Sequence, residues 1–311
     1  MRHHLMPTRD FLLAAGITVG SVLSDRILPS LAQTTDLDKF ADLRANLLEM
    51  VNEERAVAKV QTLQMDPLAT RVATQHATEM AMHEFASHWG RDGLKPYHRY
   101  AFAGGTGATQ ENVSAADNTW SNKMSDLKQD TSYLHLRLYQ EQPPNDGHRK
   151  TILAPQHTHV GFGIAVEKLR LRLVELFVAK YLEVKDVPQV AKPKSVVQFA
   201  ARMLKRHHSL NHVEVFYEPL PKSLELSWLN QPRSYDLPND SKILRPKVPP
   251  PYMYADRTRG DVDVNLDGSF SVPVTLFHNQ PGIYTLVAWL KPNRSGKAFP
   301  ATKVCIQALD R

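Results

Sequence analysis

The stretch from Asn145 to Gly163 concentrates side chains that can do chemistry. Three histidines, His148, His157 and His159, lie within it. A neutral imidazole can bind a metal ion, and it can also accept or donate a proton near neutral pH. The last residues of the stretch begin an apolar, β-branched run that predicts a buried strand. The sequence therefore predicts an imidazole-bearing loop at the edge of a sheet, and such a loop needs partners from elsewhere in the chain.

Three earlier histidines are the first candidates for partners. His76 and His83 lie on a predicted helix beside alanines and methionines, where a histidine more often packs than binds a ligand. His88 follows that helix in the sequence Ala-Ser-His-Trp-Gly. A loop position of this kind lets a side chain point into a cleft. We therefore expect His88, rather than the two helical histidines, to belong to a site.

The segment 36–182 predicts helices followed by an antiparallel sheet. Apolar residues recur at helical spacing from Phe40 to Val51, which indicates a first amphipathic helix. Asp66 and Pro67 then form the cap and the first position of a second helix. Two apolar runs, 164–166 and 169–182, flank a polar Glu-Lys pair and predict a hairpin. Helices followed by a sheet are typical of an α+β domain.

The segment 195–311 has a different pattern. Residues 183–194 contain two prolines and predict a linker between two domains. Beyond this linker, apolar and more polar residues alternate over 197–203, 213–217 and 283–289. A period of two predicts a small all-β domain, an immunoglobulin-like sandwich. The proline-rich segment 219–251 interrupts the pattern and predicts a long wrapping loop.

The amino terminus predicts export. Basic residues precede an apolar run from Phe11 to Leu23, and a small-x-small sequence at 30–32 offers a cleavage site before Gln33. We therefore assign residues 1–32 to an export signal, with the periplasm, the cell surface or the extracellular medium as the destination. The apolar run is too short to span a bilayer, so we expect no membrane span after removal of the signal.

Composition restricts the class of protein. The chain has 311 residues, 42% of them hydrophobic, and a formal net charge of +6, as in a globular protein with a mildly basic surface. It lacks the block of lysine and arginine with interleaved aromatics that follows a phosphate backbone, so nucleic acid is not an expected partner. Cys305 is the single cysteine and cannot form an intramolecular disulfide, so packed cores must supply the stability.

An ordered set of short motifs resembles the CAP superfamily, which groups the cysteine-rich secretory, antigen 5 and pathogenesis-related 1 proteins and whose module is the SCP domain. The resemblance covers about 36–182 and is to the bacterial, disulfide-free branch. No single motif is diagnostic, but their order is specific. The motifs are Asn-Glu-Glu-Arg at 52–55, Asp-Pro-Leu-Ala at 66–69, Gln-His-Ala-Thr-Glu-Met at 75–80, Ser-His at 87–88, Glu-Asn at 111–112, Gly-His-Arg-Lys-Thr-Ile-Leu at 147–153 and Val-Gly-Phe-Gly at 160–163.

The resemblance implies an α-β-α sandwich with a cleft that holds two histidines and two acids and that binds zinc in some members. By position, the histidines are His88 and His148, which would be the metal ligands. Glu111 is the first acid, and with His148 it would carry any catalytic role. Glu141, at the end of its helix, is the nearest candidate for the second acid. Zn²⁺ is thus the cofactor that the resemblance implies.

The chemistry of these residues leaves three functions open. Two imidazoles can hold Zn²⁺ while a carboxylate orients or deprotonates a bound water, but a catalytic zinc usually has three protein ligands. A third ligand from His157 or His159 is conceivable, although we favour surface positions for both. The first is an exported module whose cleft binds a divalent metal and a small-molecule, lipid or cell-envelope ligand. The second is a zinc-dependent hydrolase that acts on peptide or cell-wall material. The third is an adhesion or interaction protein that binds through its β domain.

Overall fold

The computed structural model describes residues 39–119, 121–205, 207–292 and 296–310. The predicted export signal at 1–32 lies outside these residues. In the described chain, helices accompany a first sheet and two further sheets follow, which confirms the predicted α+β class. No helix of this part is long and apolar enough to cross a bilayer.

The helices of the N-terminal half follow the predicted start signals. The Oδ1 of Asp66 accepts a hydrogen bond from the N–H of Leu68, and Pro67 occupies the first helical position, where an N–H would have no partner in the helix. This cap starts the second helix where the sequence predicts it. The helices are α1 (Ala41–Val57), α2 (Pro67–His83), α3 (Pro96–Phe102), α4 (Met124–Tyr139) and α5 (Gly147–Ile152).

The first sheet has the strand order β1-β3-β4-β2. Strand β1 pairs with β3 in parallel, and the other neighbours are antiparallel. The predicted hairpin is confirmed as β3 followed by β4. Strand β2 lies at an edge of the sheet. The strands are β1 (Gln64–Met65), β2 (Ala108–Ala116), β3 (His159–Glu167) and β4 (Arg170–Ala179).

Helices cover both faces of this sheet. Phe162, Leu173 and Phe177 share a core with α1, α4 and α5, whereas Val174 and Leu176 share a second core with α2 and α3. The two sets separate because successive residues of a strand point to opposite faces. On the α2 side, a Cβ at position 161 or 163 would lie 2.1 Å from the backbone of α2, so only glycine permits this close contact. The predicted α-β-α layering is confirmed.

Two sheets form the C-terminal half of the described chain. Their strand orders are β10-β11-β7-β5 and β6-β14-β12-β8-β9, with β13 beside β12. The strands are β5 (Leu182–Val184), β6 (Val190–Ala191), β7 (Val196–Met203), β8 (His208–Pro219), β9 (Ser241–Leu244), β10 (Asp263–Val264), β11 (Ser269–Thr275), β12 (Gly282–Pro292), β13 (Phe299–Pro300) and β14 (Val304–Ala308).

These two sheets share one apolar core. Phe199 and Phe270 from one sheet and Val215 and Leu286 from the other are buried in it. The arrangement is a sandwich of two sheets. Its immunoglobulin-like character stays a prediction. The irregular segment 219–251 contains one short helix, α6 (Leu226–Leu229), besides β9.

The segment 183–194, predicted as a linker, takes part in the C-terminal sheets. Residues Leu182, Glu183 and Val184 pair with β7, and residues 190–191 pair with β14 in parallel. The connection between the two halves is therefore fixed by backbone hydrogen bonds at both of its ends.

The two halves also share an interface built on α3. Tyr97 and Ala101 of α3 form a buried cluster with Ile283 of β12 and Cys305 of β14. Close by, Glu218 of β8 pairs with three side chains of the other half. It contacts Lys95 Nζ at 2.7 Å, Tyr97 Oη at 3.0 Å and His98 Nε2 at 3.1 Å. Apolar burial and a charged cluster thus join the halves at one place.

Candidate functional site

The four side chains predicted for the site line one cleft. His88, Glu111, Glu141 and His148 all contribute to its wall, and its volume is about 970 Å³. Each comes from a different part of the fold: the loop after α2, the edge strand β2, the loop after α4 and the first turn of α5. The fold therefore collects residues that are far apart in the sequence.

His88 and Glu111 form the deeper pair. The Nδ1–H of His88 donates to Oε1 of Glu111 over 3.0 Å, since a carboxylate can only accept. Arg99 of α3 donates to the second oxygen, Oε2, over 2.8 Å. The same guanidinium also donates to the backbone carbonyl of His88 at 2.8 Å, so Arg99 fixes both members of the pair.

The charge of Glu111 depends on these partners. Its side chain is 1% exposed, and burial alone would raise the pKa of the carboxyl group. The positive charge of Arg99 and the hydrogen bond from His88 outweigh burial and hold the pKa of Glu111 below its ordinary value. Glu111 is therefore an ionised carboxylate with both oxygens already engaged.

His148 and Glu141 form the more exposed pair. The Nδ1–H of His148 donates to Oε1 of Glu141 over 2.5 Å, and the backbone N–H of His148 donates to Oε2 over 2.9 Å. The two side chains are 34% and 24% exposed. One carboxylate thus fixes both the backbone and the ring of His148.

The two imidazoles face each other across the cleft. Their ring centroids lie 6.5 Å apart, with 35° between the ring planes. Each Nδ1 is bound to a carboxylate, and no described residue hydrogen-bonds to either Nε2. A metal-binding histidine commonly has this arrangement, because the carboxylate fixes the tautomer and leaves the other nitrogen as a ligand.

The donor set fits a metal only in part. Two tetrahedral imidazole ligands on one zinc would have ring centroids about 5 Å apart, so these rings would have to approach by about 1 Å. Across the described residues, no group of three or more His, Cys, Asp or Glu side chains could hold a metal ion. If they bound a zinc ion, His88 and His148 would supply two of the three protein ligands that a catalytic zinc usually has.

The C-terminal half completes the cleft, which the sequence did not predict. Tyr235 from the irregular segment, Trp289 of β12 and Lys303 line its wall. The hydroxyl oxygen of Tyr235 accepts the backbone N–H of Glu111 at 2.8 Å, and its ring packs against that of His88 with centroids 4.8 Å apart. Burial raises the pKa of Tyr235 above its ordinary value, so the phenol stays protonated.

Lys303 is a buried amine at the same wall. Its Nζ donates to the backbone carbonyl of Thr109 over 2.8 Å and lies 5.1 Å from the centroid of the Tyr97 ring. Burial lowers the pKa of Lys303 to about 8. The lysine therefore stays mostly protonated at pH 7 and gives this part of the cleft a positive charge.

The other two histidines of the 145–163 stretch lie elsewhere. His157 is 1% exposed, stacks on Phe177 and hydrogen-bonds to the carbonyl of Thr151, so the favoured surface position for it is wrong. Arg55 binds the carbonyls of Ile152 and Ala154 and draws this loop onto the core. Burial lowers the pKa of His157 to about 3. His159 is half-buried, and neither histidine lines the cleft.

Comparison with known protein families identifies a family for the N-terminal half of the chain. Residues 48–181 match the family model described as the cysteine-rich secretory protein family, CAP. These residues form a CAP domain. The match includes all four predicted site residues and excludes the C-terminal half. A search of curated proteins found no match to the chain.

Two solved structures are similar to part of this chain at low sequence identity. An extracellular protein containing an SCP domain from Bacillus anthracis is 20% identical, with a TM-score of 0.34 and alignment over 45% of this chain and 41% of that one. An outer surface protein from Borrelia burgdorferi is 16% identical, with a TM-score of 0.35 and alignment over 47% of this chain and 93% of that one. This chain thus spans less than half of the first of these relatives.

A buried polar network supports the CAP domain beneath the cleft. His135 of α4 is unexposed, and its ring contacts Glu175 at 2.6 Å and Glu54 at 3.0 Å. Burial alone would lower the pKa of His135, but the two carboxylates outweigh it and raise the pKa to about 10. Asn112 joins this network to the cleft, because its Nδ2 donates to Glu175 at 3.1 Å and to the carbonyl of His148 at 3.2 Å.

Proposed function

We propose that this chain is an exported binding protein whose ligand lies in the cleft between the CAP domain and the C-terminal β sandwich. The observation that carries the proposal is the joint construction of the cleft. His88 and His148 come from the CAP domain, whereas Tyr235 and Lys303 come from the other half. A cleft of about 970 Å³ with a few fixed polar groups has the size and lining of a small-molecule site.

The two histidines are the proposed contacts to the ligand or to a divalent metal. His88 and His148 would hold Zn²⁺ through Nε2, while Glu111 and Glu141 orient the two rings through Nδ1. A bound zinc would supply a positive centre that attracts a ligand oxygen or nitrogen. With two protein ligands, such an ion keeps open positions for that ligand.

The surroundings of Glu111 favour a ligand-binding role for the cleft over a hydrolytic one. A hydrolase would use Glu111 to deprotonate a water held near His88 and His148. Both oxygens of Glu111 already accept hydrogen bonds from His88 and Arg99, and its lowered pKa makes it a weak base. The arrangement of Glu111 suits positioning of His88 better than proton transfer.

Adhesion through the β sandwich alone is the less favoured alternative. Side chains of the C-terminal half contact the CAP cleft directly, because Tyr235 of the irregular segment binds the backbone of Glu111 and Lys303 binds that of Thr109. A sandwich that served only as an independent adhesion unit would not need these contacts. Export is proposed from the basic and apolar pattern of residues 1–32.

Zinc titration tests the role of the histidines. In isothermal titration calorimetry, the full chain is expected to bind one zinc ion, and His88→Ala and His148→Ala are each expected to weaken binding at least about tenfold. His278→Ala is the matched control, because His278 also pairs with a carboxylate, that of Asp240 at 2.7 Å, and is 36% exposed, but lies outside the cleft. Substoichiometric zinc after loading, with no difference between the variants, would contradict the metal part of the proposal.

A further inference from the structure

The edge of β2 faces the cleft with part of its backbone unpaired. The N–H of Glu111 donates to Tyr235, so it points away from β4, the neighbouring strand. Hydrogen-bonding direction alternates along an antiparallel strand, so the backbone groups of Thr109 and Val113 also point outward. The bond from Lys303 to the carbonyl of Thr109 agrees with this alternation.

The C-terminal half covers the beginning of this edge and leaves the middle open. Thr302 forms an antiparallel bridge with Gly107, Lys303 covers the carbonyl of Thr109, and Tyr235 covers the N–H of Glu111. Further along, no described side chain or loop hydrogen-bonds to the N–H or C=O of Val113. Val113 is only partly buried, and it lines the cleft. An unpaired strand edge of this kind is a template for another strand.

We propose that the cleft takes an extended peptide, whose backbone pairs with Val113 at the open edge of β2. This inference rests on the proposed function and names the class of ligand. The peptide residue opposite Val113 would donate its N–H to the Val113 carbonyl and accept the Val113 N–H, as two residues of an antiparallel ladder do. The chain itself already adds Thr302 to the same edge at Gly107, so the geometry for strand addition is present.

Polar groups on both faces of β2 suit a peptide backbone. Adjacent strand residues point to opposite faces, so Glu111 with its partner His88 lies on one face and Asn112, bound to the carbonyl of His148, on the other. Both partners of the Asn112 Nδ2 are acceptors, which fixes the orientation of the amide. The Oδ1 of Asn112 then remains a buried acceptor without a partner among the described residues.

A pair of proline variants tests the inference. Val113→Pro removes the outward N–H without breaking a bond to β4, which edge strands tolerate. Ile243→Pro is the matched control. Tyr217 donates its N–H to the carbonyl of Asp240, so alternation turns the backbone of Ile243 outward on the edge strand β9, away from the cleft. Thermal unfolding followed by circular dichroism checks that both variants fold.

The probe is a proline-free hexapeptide library with blocked ends, passed over the immobilised full chain and quantified by mass spectrometry. We expect the unmodified chain and Ile243→Pro to retain peptides, Val113→Pro to retain about tenfold less, and a fully N-methylated library to be lost. Equal retention by the two proline variants, or equal retention of the N-methylated library, would overturn the inference. Histidine-dependent zinc binding with no peptide retention would leave the proposed function standing and remove only the peptide.

Discussion

His135 and His148 are both held by carboxylates, but one lies in the interior of the CAP domain and the other in the cleft. The ring of His135 is unexposed and contacts Glu54 and Glu175 through its two nitrogens. The side chain of His148 is 34% exposed, and among the described residues its ring forms one hydrogen bond, from Nδ1 to Glu141. A histidine–carboxylate pair therefore stabilises the fold at His135, where carboxylates bind both ring nitrogens. At His148 the ring nitrogen Nε2 is left for a ligand.

The difference in burial also predicts how much each histidine contributes to the free energy of unfolding. A charged group in the interior depends on its partners, because water cannot replace them. A charged group at the surface of a cleft exchanges a protein partner for water at little cost. Stability measurements should therefore respond strongly to changes at His135 and weakly to changes at His148.

The largest effect is expected from His135→Ala. Removal of the imidazole leaves the carboxylates of Glu54 and Glu175 buried without their cation, so the free energy of unfolding should fall by about 3–5 kcal/mol. Urea unfolding at pH 7 measures this loss. A loss below about 1 kcal/mol would show that the buried network is not charged as the structure indicates.

The stability of the same network should depend on alkaline pH. The pKa of His135 rises from 6.5 to about 10 on folding, so its contribution is fully present below pH 6.5 and is lost as the pH rises through about 10. The difference in unfolding free energy between the unmodified chain and His135→Ala should therefore shrink from pH 7 to pH 10. A constant difference over this range would contradict the raised pKa.

An intermediate effect is expected at the interface between the halves, where Glu218 pairs with His98 and Lys95. Burial would raise the pKa of Glu218, but hydrogen bonds from these partners bring it to about 2. Its contribution is present above pH 4.5 and is lost as the pH falls through about 2. Glu218→Gln should cost about 2 kcal/mol at pH 7 and less in acid, as measured by chemical unfolding.

The control for this variant is Glu183→Gln, because Glu183 pairs with Arg202 and both side chains are more than half exposed. This change should leave stability within about 0.5 kcal/mol. Equal effects of the two substitutions would show that the Glu218 cluster does not hold the halves together.

Apart from the control, the smallest effect on stability is expected from His148→Ala. The ring contacts a carboxylate that is itself 24% exposed, so the loss should stay below about 1 kcal/mol. Urea unfolding and zinc titration of this variant measure its free energy of unfolding and its affinity for zinc. A loss comparable with that of His135→Ala would place His148 among the structural histidines and weaken its proposed role in binding.

Local signals in the sequence predict much of the fold. Asp66 and Pro67 mark a helix start because capping acts within two residues. The period of two in 197–203 predicts a strand because burial alternates along it, whereas 283–289 lies in a strand that is buried at nearly every residue. The placement of His88, Glu111, Glu141 and His148 in one cleft came from the order of the family motifs rather than from local physics. Their proposed roles in metal or ligand binding stay predictions.

The rest of the cleft depends on contacts that no local pattern records. Tyr235 contacts Glu111 across 124 positions of the chain, and Lys303 contacts Thr109 across 194. Tyr235 lies in an irregular segment without periodicity, and Lys303 precedes a short strand. His157 was misplaced for a similar reason, because the distant Arg55 gathers its loop onto the core. Long-range contacts of single side chains decide these positions.

The reactivity of Cys305 can report whether the interface between the halves is open. The thiol is 2% exposed, lies in the cluster with Tyr97, and has a pKa raised by burial to about 12. A thiolate reacts with alkylating reagents and a buried thiol does not. Since Cys305 is the single cysteine of the chain, the rate at which it is alkylated in the native protein measures how often this interface opens. The native cysteine serves as the labelling site, so none has to be introduced.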